Sequence, residues 1–510
     1  MEKNKITIEI GCIHSKIMNC LSDEISEDLW KYLSFSVPNA KFMIKRMPWW
    51  DGRKRLFNKK NNEFLTGMLH RVCKRLKKIH KIKNFCFIWK MEKPKKTLNI
   101  KWNDEYVLRD YQENIVKNCV SKKRAVISAC TGSGKTIVVS KIIQELGVKP
   151  VLFYVLSKDL LKQSAKVLEE TMPGLEVGRI GDGICDIKNI NVMTLQTVYI
   201  AFKEKITIED AKMAGMTLRE YKKKLSEDTS HVKSKGTQIR KLIKEARFIY
   251  FDECHHCSAM SCEKVLKKSP DSYYRFGGSA TPVRSDNSYL VIEGLFGRKT
   301  SEVSASDLIK KGFLLKPIIK FIDIKTEPHW VNTFTEDYDF HITENEERNR
   351  YIVKIALNAI KRGLSTIILI KNISHGESLK KKIDEELGIN VDFIYGETAK
   401  KKREQAIKDF SEGKIKIMIA SVICDEGLDL PILSCLIIAS GGKSPTRAKQ
   451  RVGRVIRKGS VHAEVYDFID VGRWTAAHSR KRKKMLEEEK EFDIKIVPIE
   501  EIFNKSGKLF

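Results

Sequence analysis

The stretch AVISACTGSGKT, residues 125–136, constrains the fold more than any other part of the chain. Ala125, Val126 and Ile127 read as a buried strand, and Ile137, Val138, Val139, Ile142 and Ile143 read as the apolar face of a helix. A turn of small residues joins them. Strand, glycine loop and helix are the setting a phosphate-binding loop requires. Thr131, Gly132, Ser133 and Gly134 offer backbone N–H groups to a phosphate chain at the positive end of a helix. Lys135 is placed to reach the β- and γ-phosphates, and the Thr136 hydroxyl to hold Mg²⁺. Ala129 stands where the first glycine of such a loop is usual. These features imply an α/β chain that binds ATP with Mg²⁺.

Length and composition fit that expectation. At 510 residues the chain has room for roughly three or four domains of about 100–200 residues. No run approaches the roughly 18 apolar residues of a membrane span. The N-terminus lacks a signal-peptide apolar region, which argues against secretion. Twelve cysteines, Cys12, Cys73, Cys130, Cys185, Cys424 and Cys435 among them, show no disulfide-framework spacing. That favours a reducing, cytoplasmic compartment. With 95 Lys+Arg against 65 Asp+Glu, the formal charge of +30 favours a polyanionic partner. Residues 41–100 carry 19 Lys/Arg and three acids, interleaved with Trp49, Trp50, Phe57, Phe64, Phe85, Phe87 and Trp89.

Taken in order, residues 1–100 read as a small α+β DNA-binding module. Ile6, Ile8 and Ile10 alternate like a strand, while Glu24–Leu33 and Leu65–Ile79 have helical spacing. Asp51-Gly52 signals a hairpin turn that would present Arg53, Lys54 and Arg55 to DNA. Residues 91–104 read as a linker. Domain 101–310 then carries the phosphate loop, strand–helix units over 151–170 and 190–197, and a charged insertion at 203–245. Its strand RFIYFDECHH ends in Asp252, suited to the Mg²⁺ water shell, and Glu253, suited to orient or deprotonate a water. Cys254 and Cys257 form a C-x-x-C, but no second pair lies at zinc-module spacing, so no structural metal is expected. Domain 311–475 repeats the α/β pattern without a second phosphate loop. It carries Gly427, Asp429 and the run QRVGRVIR, whose Arg451, Arg454 and Arg457 share a face if helical. Arginines opposed to a γ-phosphate can stabilise its transfer. Residues 476–510 read as a helical tail, with the basic run at Arg480 to Lys484 on a solvated face.

Across residues 105–470 these segments resemble superfamily 2 helicases in order and spacing. LRDYQ is similar to the Q-type motif, ACTGSGKT to motif I, VLSKDLLKQ to motif Ia and TLQT to motif Ic. DECH is similar to the DEAH-box form of motif II, SAT (279–281) to motif III, ASVICDEGLDLP to motif V and QRVGRVIR to motif VI. Cys254 departs from the usual Ala, Ala129 from Gly, and the 203–245 block is extra. Trp50-Asp51-Gly52-Arg53-Lys54-Arg55-Leu56 and the K-x-x-S-H-G segment from Lys371 resemble phage recombination helicases of the UvsW type. The resemblance implies two tandem RecA-like parallel-sheet domains and ATP-driven remodelling of branched DNA. It implies that Gln112 reads adenine, Lys135 and Thr136 serve phosphate and Mg²⁺, and Asp252 and Glu253 are the hydrolytic acids. His255 would couple that acid box to motif III. Gly427 and Asp429 would meet the nucleotide sugar, and Arg454 and Arg457 would act as fingers. Ser157, Lys158, Thr194, Gln196, Lys371 and Ser421 would track a DNA strand. Two other readings stay open, the translocating motor of a DNA-cleaving system and an ATP-dependent transcript-release factor. The oligomeric state is open too, a monomer being compatible.

Overall fold

In a computed structural model, the described residues are all but 1–4, 38–39, 41–43, 45–46, 48, 203–216, 218, 221–234, 259, 282–287, 422–432, 443–444, 457–461 and 504–510. The chain divides into two compact units, Met1–Ala129 with Gly134–Glu302, and Cys130–Ser133 with Val303–Phe510. No helix among the described residues is long and apolar enough to cross a membrane.

The N-terminal module begins with the alternating strand Lys5–Ile10, which buries Ile6, Ile8 and Ile10 on one face. Its sheet runs Phe57–Asn58, Glu63–Leu65, His14–Ile17, Lys5–Ile10, Asn84–Trp89 from edge to edge. Only the last pair is parallel. Helix Asp23–Tyr32 starts where the Ser22 hydroxyl accepts the Ile25 N–H, with Asp23 and Glu24 favoured in the first turn. Helix Leu69–Lys78 turns Val72 and Leu76 inward. The hairpin expected at Asp51-Gly52 is not seen among the described residues. Arg53–Arg55 instead pairs antiparallel with Ser34–Ser36, a more distant partner that sequence spacing does not reveal.

This module is not a separate body. Its Ile8, Leu65, Met68 and Leu76 belong to one apolar core with Phe251, Leu295 and Phe296 of the following domain. The 91–104 stretch, expected as a linker, is a strap. Thr97 and Leu98 both donate N–H groups to the Gly147 carbonyl at 2.8 Å, and Ile100 is buried.

The first α/β sheet has eight strands, in the order Ile184–Asp186, Val177–Gly181, Ile190–Thr194, Val151–Val155, Phe248–Asp252, Tyr274–Ser279, Arg124–Ala129, Lys299–Val303. The strands from Val177–Gly181 to Arg124–Ala129 are all parallel. Such strands are covered on both faces, which explains continuous apolar runs such as Val151–Val155. Of the 203–245 insertion, the described part includes a helix over 235–245 that buries Ile239, Leu242 and Ile243.

In the second unit a seven-stranded sheet runs Asp392–Ile394, Ile417–Ser421, Thr366–Ile370, Cys435–Ile438, Glu464–Ile469, Ile318–Asp323, Asp493–Val497, and every pairing is parallel. Within the stretch expected as a helical tail, Asp493–Val497 instead adds an edge strand to this sheet, between helices Thr475–Leu486 and Ile499–Phe503. Helix Thr475–Leu486 is integral as well. The Asp337 carboxylate accepts the N–H groups of Arg473, Trp474 and Thr475 at its start. Arg482, in the basic run expected to be solvated, is fully buried and forks onto Asp467 at 2.8 and 2.9 Å. Arg348 is buried beside it and meets Asp470 at 3.0 Å. A buried guanidinium needs such bidentate partners to offset its lost hydration.

Candidate functional site

Three neighbouring strands bring the chemistry together at their carboxyl ends, where open α/β sheets bind ligands. Phe248–Asp252 and Arg124–Ala129 flank Tyr274–Ser279. Arg124–Ala129 opens into the glycine loop, where Gly132 and Gly134 have φ of +81° and +77°. A Cβ at Gly134 would lie 2.5 Å from Gln112 Nε2, so only glycine lets the loop close on that amide. Gln112 is buried, and its Oε1 accepts the Arg109 N–H at 3.0 Å, which fixes the start of helix Asp110–Lys122. Helix Lys135–Leu146 follows the loop directly, so its first N–H groups face the turn. Lys135 Nζ donates to the Ala129 carbonyl at 3.1 Å and stands 4.0 Å from Glu253 Oε1. Thr136 is the second residue of that helix and half-buried.

Asp252 and Glu253 share this corner but differ electrostatically. Burial, and then the neighbouring Glu253 charge, push the Asp252 carboxyl up; the Tyr250 hydroxyl donates to its Oδ1 at 3.2 Å. Burial alone would also raise Glu253, but Lys135 and then His255 outweigh it and hold that carboxyl down. Glu253 has φ of +52°, a left-handed backbone that costs a non-glycine residue energy and aims its side chain out of the strand line. His255 Nδ1 lies 3.2 Å from Glu253 Oε2 and 2.9 Å from Ser279 Oγ. Ser279 in turn lies 3.4 Å from Glu253 Oε2 and accepts the Thr281 N–H at 3.1 Å. The acid pair is thereby tied to the neighbouring strand's end.

Sequence reasoning did not single out Tyr250, Ser279 or the glycines beside them as site residues. A Cβ at Gly278 would fall 2.0 Å from the Tyr250 hydroxyl, and one at Gly277 would fall 2.9 Å from Cys254 Cβ. Two glycines inside an apolar strand are the signal that could have found this close approach. Cys254, Cys257 and Cys262 are buried free thiols, and burial drives the first two well above the ordinary thiol range.

Residues 105–284 match the family described as Type III restriction enzyme, res subunit, and residues 347–459 match the helicase conserved C-terminal domain. This chain is a superfamily 2 helicase. It is 25% identical to Putative helicase 22 of Sulfolobus islandicus filamentous virus over 69% of its own length and 62% of that protein's. It is 26% identical to the ATP-dependent DNA helicase uvsW of Enterobacteria phage T4, over 43% of its own length and 45% of the relative's. In both curated relatives the helicase spans less than two thirds of their length. Its fold is that of Saccharomyces cerevisiae Dbp5 bound to RNA and ADP BeF3, with a TM-score of 0.52 at 16% identity over 77% of this chain and 90% of that one.

The other expected site residues are placed in several ways. The Ser157 hydroxyl caps helix Lys158–Thr171 by accepting the Leu160 N–H at 3.2 Å, and Lys158 pairs with Asp182 at 3.2 Å. Thr194 is buried against Thr197, their hydroxyls 2.8 Å apart, whereas Gln196 is exposed. In the second unit Lys371 Nζ sits 4.3 Å from the Tyr338 ring, and Ser421 is buried at the end of its strand. Helix Pro445–Val455 carries buried Arg451, which donates to Ser440 Oγ at 3.1 Å, and half-buried Arg454. Gly427, Asp429 and Arg457 lie outside the described residues. Arg53, Lys54 and Arg55 are engaged within the chain. Arg53 donates to Ser34 Oγ at 3.1 Å, Lys54 pairs with Glu263, and Arg55 pairs with Asp51 and lies 3.8 Å over the Trp30 ring.

Proposed function

We propose that the chain is a DNA-dependent ATPase that remodels branched or forked duplexes by unwinding, branch migration and fork regression. The observation carrying this reading is the Lys135–Glu253–His255–Ser279 cluster, because it links the groups suited to triphosphate hydrolysis to a structural strand. Lys135 would bind the β- and γ-phosphates, and Glu253, kept ionised by Lys135 and His255, would orient the attacking water. Buried Asp252 fits a divalent cation, since a carboxyl raised by burial gains most from a positive neighbour; it would share Mg²⁺ with the Thr136 hydroxyl. When bound, Mg²⁺ neutralises phosphate charge. Gln112 would read the base, Gly427 and Asp429 the sugar, and Arg454 and Arg457 the developing charge. Ser157, Lys158, Thr194, Gln196, Lys371 and Ser421 would line the strand path.

Support for DNA comes from the +30 charge and from the phage relative's name as an ATP-dependent DNA helicase. The restriction-enzyme description of the first family favours a second reading, translocation on duplex DNA without strand separation. ATPase and strand-displacement assays with forked, blunt duplex and single-stranded DNA and with RNA distinguish them. The first reading expects strongest stimulation by forks together with displacement. The second expects stimulation by blunt duplex and no displacement. Stimulation by RNA alone would sink both.

A further inference from the structure

The basic module has a surface that none of these roles uses. Strand Asn84–Trp89 forms one edge of the five-stranded sheet, and Phe87, Ile88 and Trp89 are 42%, 42% and 52% exposed. Alternation puts Phe85, Phe87 and Trp89 on one face. The Phe85 and Phe87 rings lie 6.2 Å apart and within 9° of parallel, like successive rungs. Cations bracket the row. Lys77 Nζ is 5.5 Å from the Phe85 ring and Lys123 Nζ is 4.5 Å from the Trp89 ring. Lys83 and Lys90 flank the strand and are exposed. Lysines at an edge discourage another protein strand from adding there, whereas they favour a chain of phosphates.

We propose that Phe87 and Trp89, backed by the half-buried Phe85 ring that packs on the core, form a stacking platform for unpaired bases of single-stranded DNA, with Lys77, Lys83, Lys90 and Lys123 serving its phosphates. The proposal deepens the DNA-motor reading and rests on it for the choice of DNA. It moves recognition by the module from the engaged Arg53–Arg55 segment to this edge. Aromatic rows beside cations suit single strands because every base has a π-face, whereas a closed duplex hides it.

The test uses the full chain and fluorescence anisotropy with labelled oligo-dT and blunt duplex across a salt series. Phe87→Ala with Trp89→Ala should weaken oligo-dT binding by roughly five- to a hundredfold per ring. It should leave the salt slope and blunt-duplex affinity unchanged, since no charge is removed. Phe87→Tyr with Trp89→Phe should restore binding, which separates stacking from misfolding. Lys83→Ala with Lys90→Ala should instead flatten the slope by about 0.7 per lost contact. Unchanged oligo-dT affinity in the alanine pair, or equal loss on duplex, overturns the platform. Binding is read without ATP. An ATPase that no DNA stimulates would therefore count against the motor reading while this measurement still decides the platform.

Discussion

Lys135 and Glu253 stand 4.0 Å apart, yet their loss should have different consequences. Lys135→Ala removes a phosphate contact and should weaken both nucleotide binding and turnover. Glu253→Gln keeps the side chain's shape and its place beside His255, so ATP should bind while hydrolysis falls by roughly 10²–10⁴. Equilibrium binding of a fluorescent ATP analogue beside steady-state turnover checks this, and equal loss of binding in both variants would contradict the roles. His375 offers a pH test far from the chemistry. It is buried, its Nε2 lies 2.8 Å from Asn349 Oδ1, and burial followed by the Arg348 and Lys382 charges lowers it from 6.5 to about 3. A neutral folded imidazole that gains a proton only on unfolding contributes stability above pH 6.5. That contribution shrinks as pH falls toward 3, by up to about 1.4 kcal/mol per pH unit. Denaturant melts between pH 7 and 5 should show this slope, and His375→Gln should flatten it. The S-H-G segment read as a family signature is thus a packing device, in which a Cβ at Gly376 would meet the Phe393 ring at 2.4 Å.

Elements whose sequence period matches their burial were legible, and those fixed by remote partners were not. The phosphate loop, the alternating strand Lys5–Ile10 and the parallel runs each carry their reason locally. The reason for Gly67 lies 226 positions away in helix Tyr289–Phe296, where a Cβ would fall 2.0 Å from the Glu293 carbonyl oxygen. The pairing of Arg71 with buried Glu293 at 2.7 Å is likewise remote. Gly67→Ala should therefore lower the thermal midpoint, since forced overpacking costs about 1–3 kcal/mol. Gly236→Ala, whose added Cβ would meet no described atom nearer than Arg240 Nη1 at 3.5 Å and which sits on a helical backbone, should leave it unchanged or raise it. Calorimetry of both variants checks the opposite signs. Arg53–Arg55 shows the same limit from another side. Its composition suggested a DNA contact, but Ser34 and Glu263 cannot be read as its partners from spacing.

For the molecule as a whole, the N-terminal module and the first α/β sheet share a core, so cutting between them should expose apolar surface. A chain beginning at Glu105 would also lose Arg71, the partner of Glu293. Such a chain should aggregate, or melt well below the full-length protein; melting within a few degrees of it would mean that the shared core contributes little. The seam has a consequence for inheritance. Leu65 presses on Gly294 and Gly67 on Glu293, so the two sides cannot drift independently. A chimera that borrows the module from a relative would have to borrow helix Tyr289–Phe296 with it, although the two are far apart in the gene.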